Sequence, residues 1–152
     1  VWGKLRKIHP LVQFHIAGRN APAWLVDKCL REKTKFHGEV DDAYGFFDLH
    51  SIMLVPLFAG SGLRIKIVEA MARSKVVITT STGAHGIPVE NGSELIISDQ
   101  ARDWTYRINE LLHDREKRNA MSEKAFRFAK QHYTHEEMVR NLLYFYRQQV
   151  LC

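Results

Sequence analysis

Long apolar runs are what this sequence most plainly lacks. Its purely apolar stretches extend only a few residues, far short of the roughly 20 that a membrane-spanning helix needs. The start carries no signal-peptide pattern. Cysteine is scarce: Cys29 and Cys152 are the two present, one of them terminal. That excludes a disulfide framework and points to a reducing compartment, with the cytoplasm as the expected location. The eight histidines show no ligand spacing; His132 and His135 are three apart without other ligands nearby, so no metal is expected. Acidic residues are the minority, 17 against 22 basic, for a net charge of +5. The basic residues are scattered, however. The densest patch, Arg115-Glu116-Lys117-Arg118, reads as a solvated surface between helical segments, and nucleic acid is not an expected partner. An anionic small ligand is compatible with this balance, as is peripheral membrane association of a parent protein. The chain opens mid-pattern without a methionine, which raises the expectation of a piece of something longer.

What is present fits one globular domain. The 152 residues are 45% hydrophobic and 26% charged, ordinary for a chain with a real core. Helical spacing covers Val1 to His9, through Leu5 and Ile8, and ends at Pro10. Leu11 to Ala17 alternates as a strand. Ala21 to Lys33 is helical, with Pro22 in its first turn. Thr34 to His37 is a short strand. Asp41 to Phe47 is a short helix, capped by Asp41-Asp42 and giving Tyr44, Phe46 and Phe47 to the core. Ser51 to Leu57 is the continuous apolar run of a strand buried on both faces. A helix from Leu63 to Arg73 follows, then strands at Lys75 to Thr80 and Glu94 to Ile97. Helices over Ala101 to His113, Glu116 to His132 and His135 to Val150 end the chain. The alternation predicts an α/β fold: a doubly wound, Rossmann-like parallel sheet with helices on both faces. Such a domain normally begins with a strand near the middle of the sheet, whereas this chain begins with a helix. Either that strand is trimmed away, or the sheet closes differently.

The richest stretch runs from Pro56 to Ala72. A buried strand, a glycine-rich turn and an amphipathic helix build a phosphate cradle there, because a helix start leaves backbone N–H groups unpaired and carries partial positive charge. Gly60 and Gly62 let an anion approach the main chain. Arg64 and Lys66 add mobile positive charge, and Ser61 suits an N-cap. On this helix Gly62, Lys66, Glu69 and Arg73 share one side, while Leu63, Ile67, Ala70 and Met71 share the side that packs on a sheet. Glu69 lies seven residues past Gly62, roughly 10 Å along the axis. A diphosphate at the tip and a ribose alongside span such a gap, and a carboxylate can accept from two ribose hydroxyls. The alternative is that Glu69 pairs with Arg73 at i,i+4. Glycines also follow the other strands, Gly18, Gly38, then Gly83 and Gly86. They read either as ordinary turns or as the open rim of a ligand cleft beyond the strand carboxyl ends.

Residues 60 to 72, Gly-Ser-Gly-Leu-Arg-Ile-Lys-Ile-Val-Glu-Ala-Met-Ala, followed by Val76-Val77-Ile78-Thr79-Thr80 and Gly83-Ala84-His85-Gly86-Ile87, resemble the donor half of a GT-B glycosyltransferase. More narrowly, the pattern resembles the retaining group known as glycosyltransferase family 4, or glycosyl transferases group 1. Phe14-His15-Ile16-Ala17-Gly18 and Phe36-His37-Gly38-Glu39-Val40 sit where that family places them, so the resemblance covers nearly the whole chain. It implies that residues 1–152 form a nucleotide-sugar-binding domain whose amino-terminal acceptor domain lies outside this sequence. It implies that Glu69 holds the donor ribose and that the amides of Gly62 and Leu63 meet the phosphates. Lys66, helped by Arg64, neutralises the diphosphate. Gly38 and Val40 frame the nucleobase, and Phe58, Ala59 and Gly60 lie beside the transferred sugar. Two departures stand out. Ser61 replaces the first of the family's two glutamates, and the basic residues supplied near the start of the domain would precede Val1.

The chemistry so implied is transfer of a sugar from a nucleoside-diphosphate sugar (UDP-, GDP- or ADP-linked) to an acceptor hydroxyl, with retention and without a required cofactor or metal. The acceptor, whether a sugar, a lipid-linked glycan or a small molecule, would come mostly from the missing domain, so this chain is expected to bind donor without turning it over. The competing readings are a GT-B sugar-nucleotide epimerase or phosphorylase, for which no matching motif is seen, and a non-catalytic nucleotide-sensing domain on the same fold. His85 either touches the sugar or lies in solvent. Tyr144, Phe145 and Tyr146 either reach toward the other domain or cover their own sheet.

Overall fold

The structure is a computed structural model that describes residues 1–60 and 62–150, the side chains of Asn141, Gln149 and Val150 excepted. In chain order its elements are α1 (Trp2–Ile8), β1 (His15–Ile16), α2 (Ala23–Arg31), β2 (Lys35–Phe36), α3 (Ala43–Asp48), β3 (Ile52–Val55), α4 (Ile65–Ala72), β4 (Val76–Thr79), α5 (Ser81–Ala84), β5 (Ile96–Ile97), α6 (Ala101–His113), α7 (Arg115–His132) and α8 (His135–Val150). All strand pairs are parallel, and they fall into two sheets, β1-β2 and β3-β4-β5. The alternating α/β reading therefore holds, with the strands divided between two ladders.

The strand buried on both faces is β4, whose four residues are 0% exposed. Val76 and Ile78 turn to one face, where Leu5 of α1, Trp104, Ile108 and Leu111 of α6 and Met121 of α7 pack. Val77 turns to the other, against Ile67, Ala70 and Met71 of α4 and Ala125 and Ala129 of α7. A period of two along the strand thus sorts its residues between two helical layers. The expectation that Ser51 to Leu57 is the doubly buried strand is corrected: β3 is half-buried throughout. Among the described residues it pairs only with β4 and forms an edge of its sheet.

The two buried polar side chains among the described residues, Thr79 and Thr80, are satisfied. Thr79 Oγ1 donates to Val55 O at 2.9 Å and Thr80 Oγ1 to Leu57 O, tying the end of β4 to β3. The Thr80 hydroxyl also accepts from the Gly83 amide and caps α5. This one-turn helix was not expected. Gly83 belongs to it and is buried, and a Cβ there would run into Thr79 Oγ1. So Gly83 does not belong to an open rim, whereas Gly86 follows with φ +83°.

Elsewhere, α3 is capped by Asp42, whose side chain accepts from the Gly45 amide. It buries no residue fully, contrary to its expected core role. Phe47 alone of its three expected core aromatics packs against the second cluster. Pro22 is the N-cap of α2 rather than a first-turn residue. Arg115 opens α7 directly after the Asp114 cap, so the basic patch is the first turn of a helix. Finally, α8 leaves Met138, Val139, Leu142, Leu143, Tyr144, Phe145 and Tyr146 between 42% and 66% exposed. It does not cover its own sheet.

Candidate functional site

The site is built where β3 turns into α4. Gly60 at φ +119° and Gly62 at φ +80° occupy backbone conformations that side chains disfavour. The Arg64 guanidinium lies against Gly60, within 2.5 Å of where a Cβ would stand. The helix itself begins at Ile65, with Arg64 as N-cap and no side-chain cap bond. It therefore starts two residues later than its spacing implies. Gly62 and Leu63 precede it, and Leu63 is exposed instead of packing on the sheet. Ser61, the expected N-cap and phosphate-side residue, lies outside the described residues. No acceptor among the described residues takes the backbone N–H of Gly62, Leu63 or Lys66. These are the unpaired donors that a helix start leaves behind, and Lys66 and Arg64 bring cations to the same turn.

One turn further, Glu69 sits on the half-buried side of α4, its side chain 25% exposed. Its Oε1 accepts from the Tyr44 hydroxyl of α3 at 3.5 Å. Its Oε2 is buried and takes no hydrogen bond. Lys66 Nζ lies 3.0 Å from that oxygen as an ion pair, out of line for a hydrogen bond. Arg73 does not pair with Glu69. Its Nε donates to Asp48 Oδ1 at 3.1 Å and its guanidinium stacks 4.8 Å above the Tyr44 ring. The bond from Arg73 holds the Asp48 carboxyl below its ordinary range. The i,i+4 alternative for Glu69 is thus excluded by geometry. Tyr44, expected in the core, is instead an exposed residue between Glu69 and Arg73.

A second group gathers at the ends of β1 and β2. Gly38, at φ +67°, accepts on its carbonyl from the Gly18 amide at 2.7 Å, and Arg19 pairs with Glu39 at 2.6 Å. The loops after both strands are therefore fastened together, with Val40 half-buried beside them. Three imidazoles cluster at the same strands, an arrangement the linear spacing did not reveal. His15 and His37 are 2.9 Å apart through Nδ1 and Nε2, and His15 meets His50 edge-on at 4.5 Å. Phe46 of α3 touches both His37 and His50. Burial first, then His50, His37 and Lys35, hold the His15 imidazole below its ordinary pKa. The parallel register, set only on folding, places His15 beside Lys35 and brings the following His37 across from it. Among the described residues no three His, Cys, Asp or Glu side chains are placed to hold a metal. No described helix is long and apolar enough to cross a membrane.

Phe58 and Ala59 are exposed on the outer turn, and His85 is exposed at the end of α5. The structure thus joins Gly60, Arg64, Lys66 and Glu69 through α4, brings in Tyr44, and sets Gly38 in its own loop pair.

Comparison with known proteins follows the same lines. The family model for glycosyl transferases group 1 matches residues 1–114. An uncharacterized 44.6 kDa protein in the cps region of Klebsiella pneumoniae is 24% identical over 111 residues, 62% of this chain and 28% of that protein. The crystal structure of Anabaena HepE in complex with UDP superposes with a TM-score of 0.77 at 19% identity, over 93% of this chain and 43% of that one. The carboxyl-terminal domain of the glycosyl transferase group 1 protein LpcC from Francisella tularensis superposes with a TM-score of 0.73 at 16% identity, over 88% of this chain and 77% of that one. The chain therefore spans less than half the length of HepE and of the Klebsiella protein. A match that runs through α6, on a fold shared with an isolated carboxyl-terminal domain of the same kind, places this chain in the glycosyl transferases group 1 family as the carboxyl-terminal domain of a GT-B fold.

Proposed function

We propose that this chain binds the nucleoside-diphosphate sugar donor of a retaining glycosyltransferase. In this reading the diphosphate lies against the amides of Gly62 and Leu63, neutralised by Lys66 and Arg64. Glu69 grips the ribose, Gly38 and Val40 frame the base, and Phe58, Ala59 and Gly60 lie beside the sugar. The observation that carries the reading is Glu69 Oε2, a buried carboxylate oxygen that Lys66 faces as an ion pair at 3.0 Å but that accepts no hydrogen bond. It stands one helical stretch from backbone donors that meet no acceptor among the described residues. Buried acceptors are rarely left unmade, and two vicinal hydroxyls would complete this one. HepE, with the same fold, has been crystallised with UDP and with UDP-glucose, which favours a uridine donor.

When the glycosidic bond breaks, negative charge grows on the departing diphosphate. Fixed amides and two cations stabilise that charge without reorganising, so no cofactor is invoked. The acceptor is held mostly by an amino-terminal domain outside this sequence, and the exposed apolar face of α8 is proposed to pack against that domain. The chain alone binds donor and does not transfer sugar.

Calorimetry with UDP tests the reading. Glu69→Ala removes a charged acceptor, which is worth about 1.5–3 kcal/mol, so affinity should drop by at least about tenfold. The thermal midpoint without ligand should stay unchanged. Equal affinity in wild type and variant would remove the ribose role.

A further inference from the structure

At the opposite end of the sheet lies a cleft of about 280 Å³, lined by Ser51, Ser74, Lys75, Arg115, Arg118, Asn119 and Ser122. Ser51 immediately precedes β3, and Ser74 and Lys75 precede β4, so the cleft sits at the strand amino ends. The Gly60–Gly62 turn follows the carboxyl end of β3, which makes the two places distinct. Arg115, Arg118, Asn119 and Ser122 fall at i, i+3, i+4 and i+7 on α7, one face of that helix.

The lining holds three cations and no carboxylate. The Lys75 side chain is only 14% exposed; its Nζ pairs with Asp48 Oδ1 at 3.8 Å and donates to Asp48 O at 3.4 Å, while Arg73 engages the same carboxylate. Arg118 is anchored by a 2.7 Å bond from Nη1 to Leu111 O, and among the described residues its other nitrogens meet no acceptor. Arg115, the Asn119 amide and the hydroxyls of Ser51 and Ser74 likewise donate to nothing among the described residues. Ser122 alone spends its hydroxyl, on Asn119 O at 2.9 Å. A polar cleft rich in unspent donors and in positive charge, with Asp48 beside Lys75 as the carboxylate at its edge among the described residues, has the chemistry of an oxyanion site. Guanidinium groups bind phosphate oxygens in a planar fork, and serine hydroxyls complete the remaining oxygens.

We propose that this cleft binds a phosphate group, carried either on a small soluble molecule or on an anionic lipid headgroup, independently of the donor site. The test is a titration of the isotopically labelled 152-residue chain with inorganic phosphate at constant ionic strength, followed by backbone amide shifts. Saturable shifts are expected at Ser51, Ser74 and Asn119, together with the Asn119 side-chain amide. In Arg115→Gln/Arg118→Gln the apparent Kd at these resonances should rise about tenfold or more. Arg115→Gln alone, at an exposed position, serves as the variant whose fold is not in question, with a smaller rise. A parallel arm measures flotation with phosphatidylcholine vesicles, with and without phosphatidylglycerol. Saturation by soluble phosphate without flotation assigns the site to a soluble ligand. Flotation that requires phosphatidylglycerol and is lost in the double variant assigns it to a headgroup. Shifts confined to residues around Gly62, shifts linear in phosphate, or binding indifferent to both variants would overturn the proposal. Because the readout is resolved by residue, a failure here leaves the donor site untouched, and the reverse also holds.

Discussion

The β3-β4-β5 sheet and the β1-β2 pair are built from the same parallel pairing, yet different physics holds them in place. Around β4 the work is apolar: two clusters bury Val76, Ile78 and Val77 against helices on both faces. Around β1 and β2 it is polar and aromatic. Trp2 Nε1 and Arg6 Nη1 reach Glu32 O at 2.8 and 2.9 Å, Trp2 leans on Phe14, and His15 meets His37 and His50. Burial is indifferent to pH. Imidazole contacts are not, because two ring nitrogens that face each other need one of them to be unprotonated. The half that carries the Gly38 loop should therefore be the conditional half.

The difference can be broken most forcefully in the apolar half. Ile78→Ala removes a fully buried side chain from the middle of β4 and should cost about 3–4 kcal/mol, read as a lower denaturant midpoint. Ile16→Ala, in the half-buried β1, should cost clearly less. Equal losses would erase the distinction. Gly83→Ala follows in size. Its Cβ would meet Thr79 Oγ1, and overpacking of this kind costs about 1–3 kcal/mol. A neutral outcome would mean that α5 moves freely away from β4.

At the junction of the halves, Tyr44→Phe deletes the hydroxyl facing Glu69 and leaves the ring under Arg73. The loss of UDP affinity should be only a few-fold, within the roughly 0.5–1.5 kcal/mol of a single hydrogen bond. A loss equal to that of Glu69→Ala would show that the hydroxyl itself carries the site.

The smallest effect sharpens the comparison. The folded-state pKa of His15 lies below its ordinary 6.5, so the unfolded chain takes up that proton first. Stability from this group is complete above the ordinary value. It declines as pH falls through it, and the decline ends below the folded pKa. Exchange protection of the His37 amide, which donates to Ile16 O, should fall over that window while that of Val77 holds. His15→Gln should flatten the difference. A Val77 amide that loosened in step with His37 would merge the two halves into one.

Much of this molecule could be read directly. Helix α6 lies where its spacing predicts, and the buried stripe of Ile67, Ala70 and Met71 follows from the 3.6-residue period of α4. The family match and the positive-φ glycines of the 60–62 turn were likewise present in local pattern. What was misread shares a cause. Tyr44 looked like core, β3 looked doubly buried, Leu63 looked sheet-facing and α5 was not seen at all. Each depends on what lies across from it, and hydropathy counts a residue's appetite for burial without saying whether a neighbour is there to bury it.

By itself, then, the order of residues determined the alternation of strands and helices, the glycine turn before α4 and the acid seven positions beyond Gly62, because period and backbone freedom are local properties. Tertiary structure alone decided that Arg73 turns to Asp48 and leaves Glu69 to Lys66 and Tyr44, that three histidines distant in the chain cluster together, and that donors ahead of β3 and β4 and on α7 converge on one cleft. Those are choices among partners, and partners far apart in sequence meet only once the chain has folded.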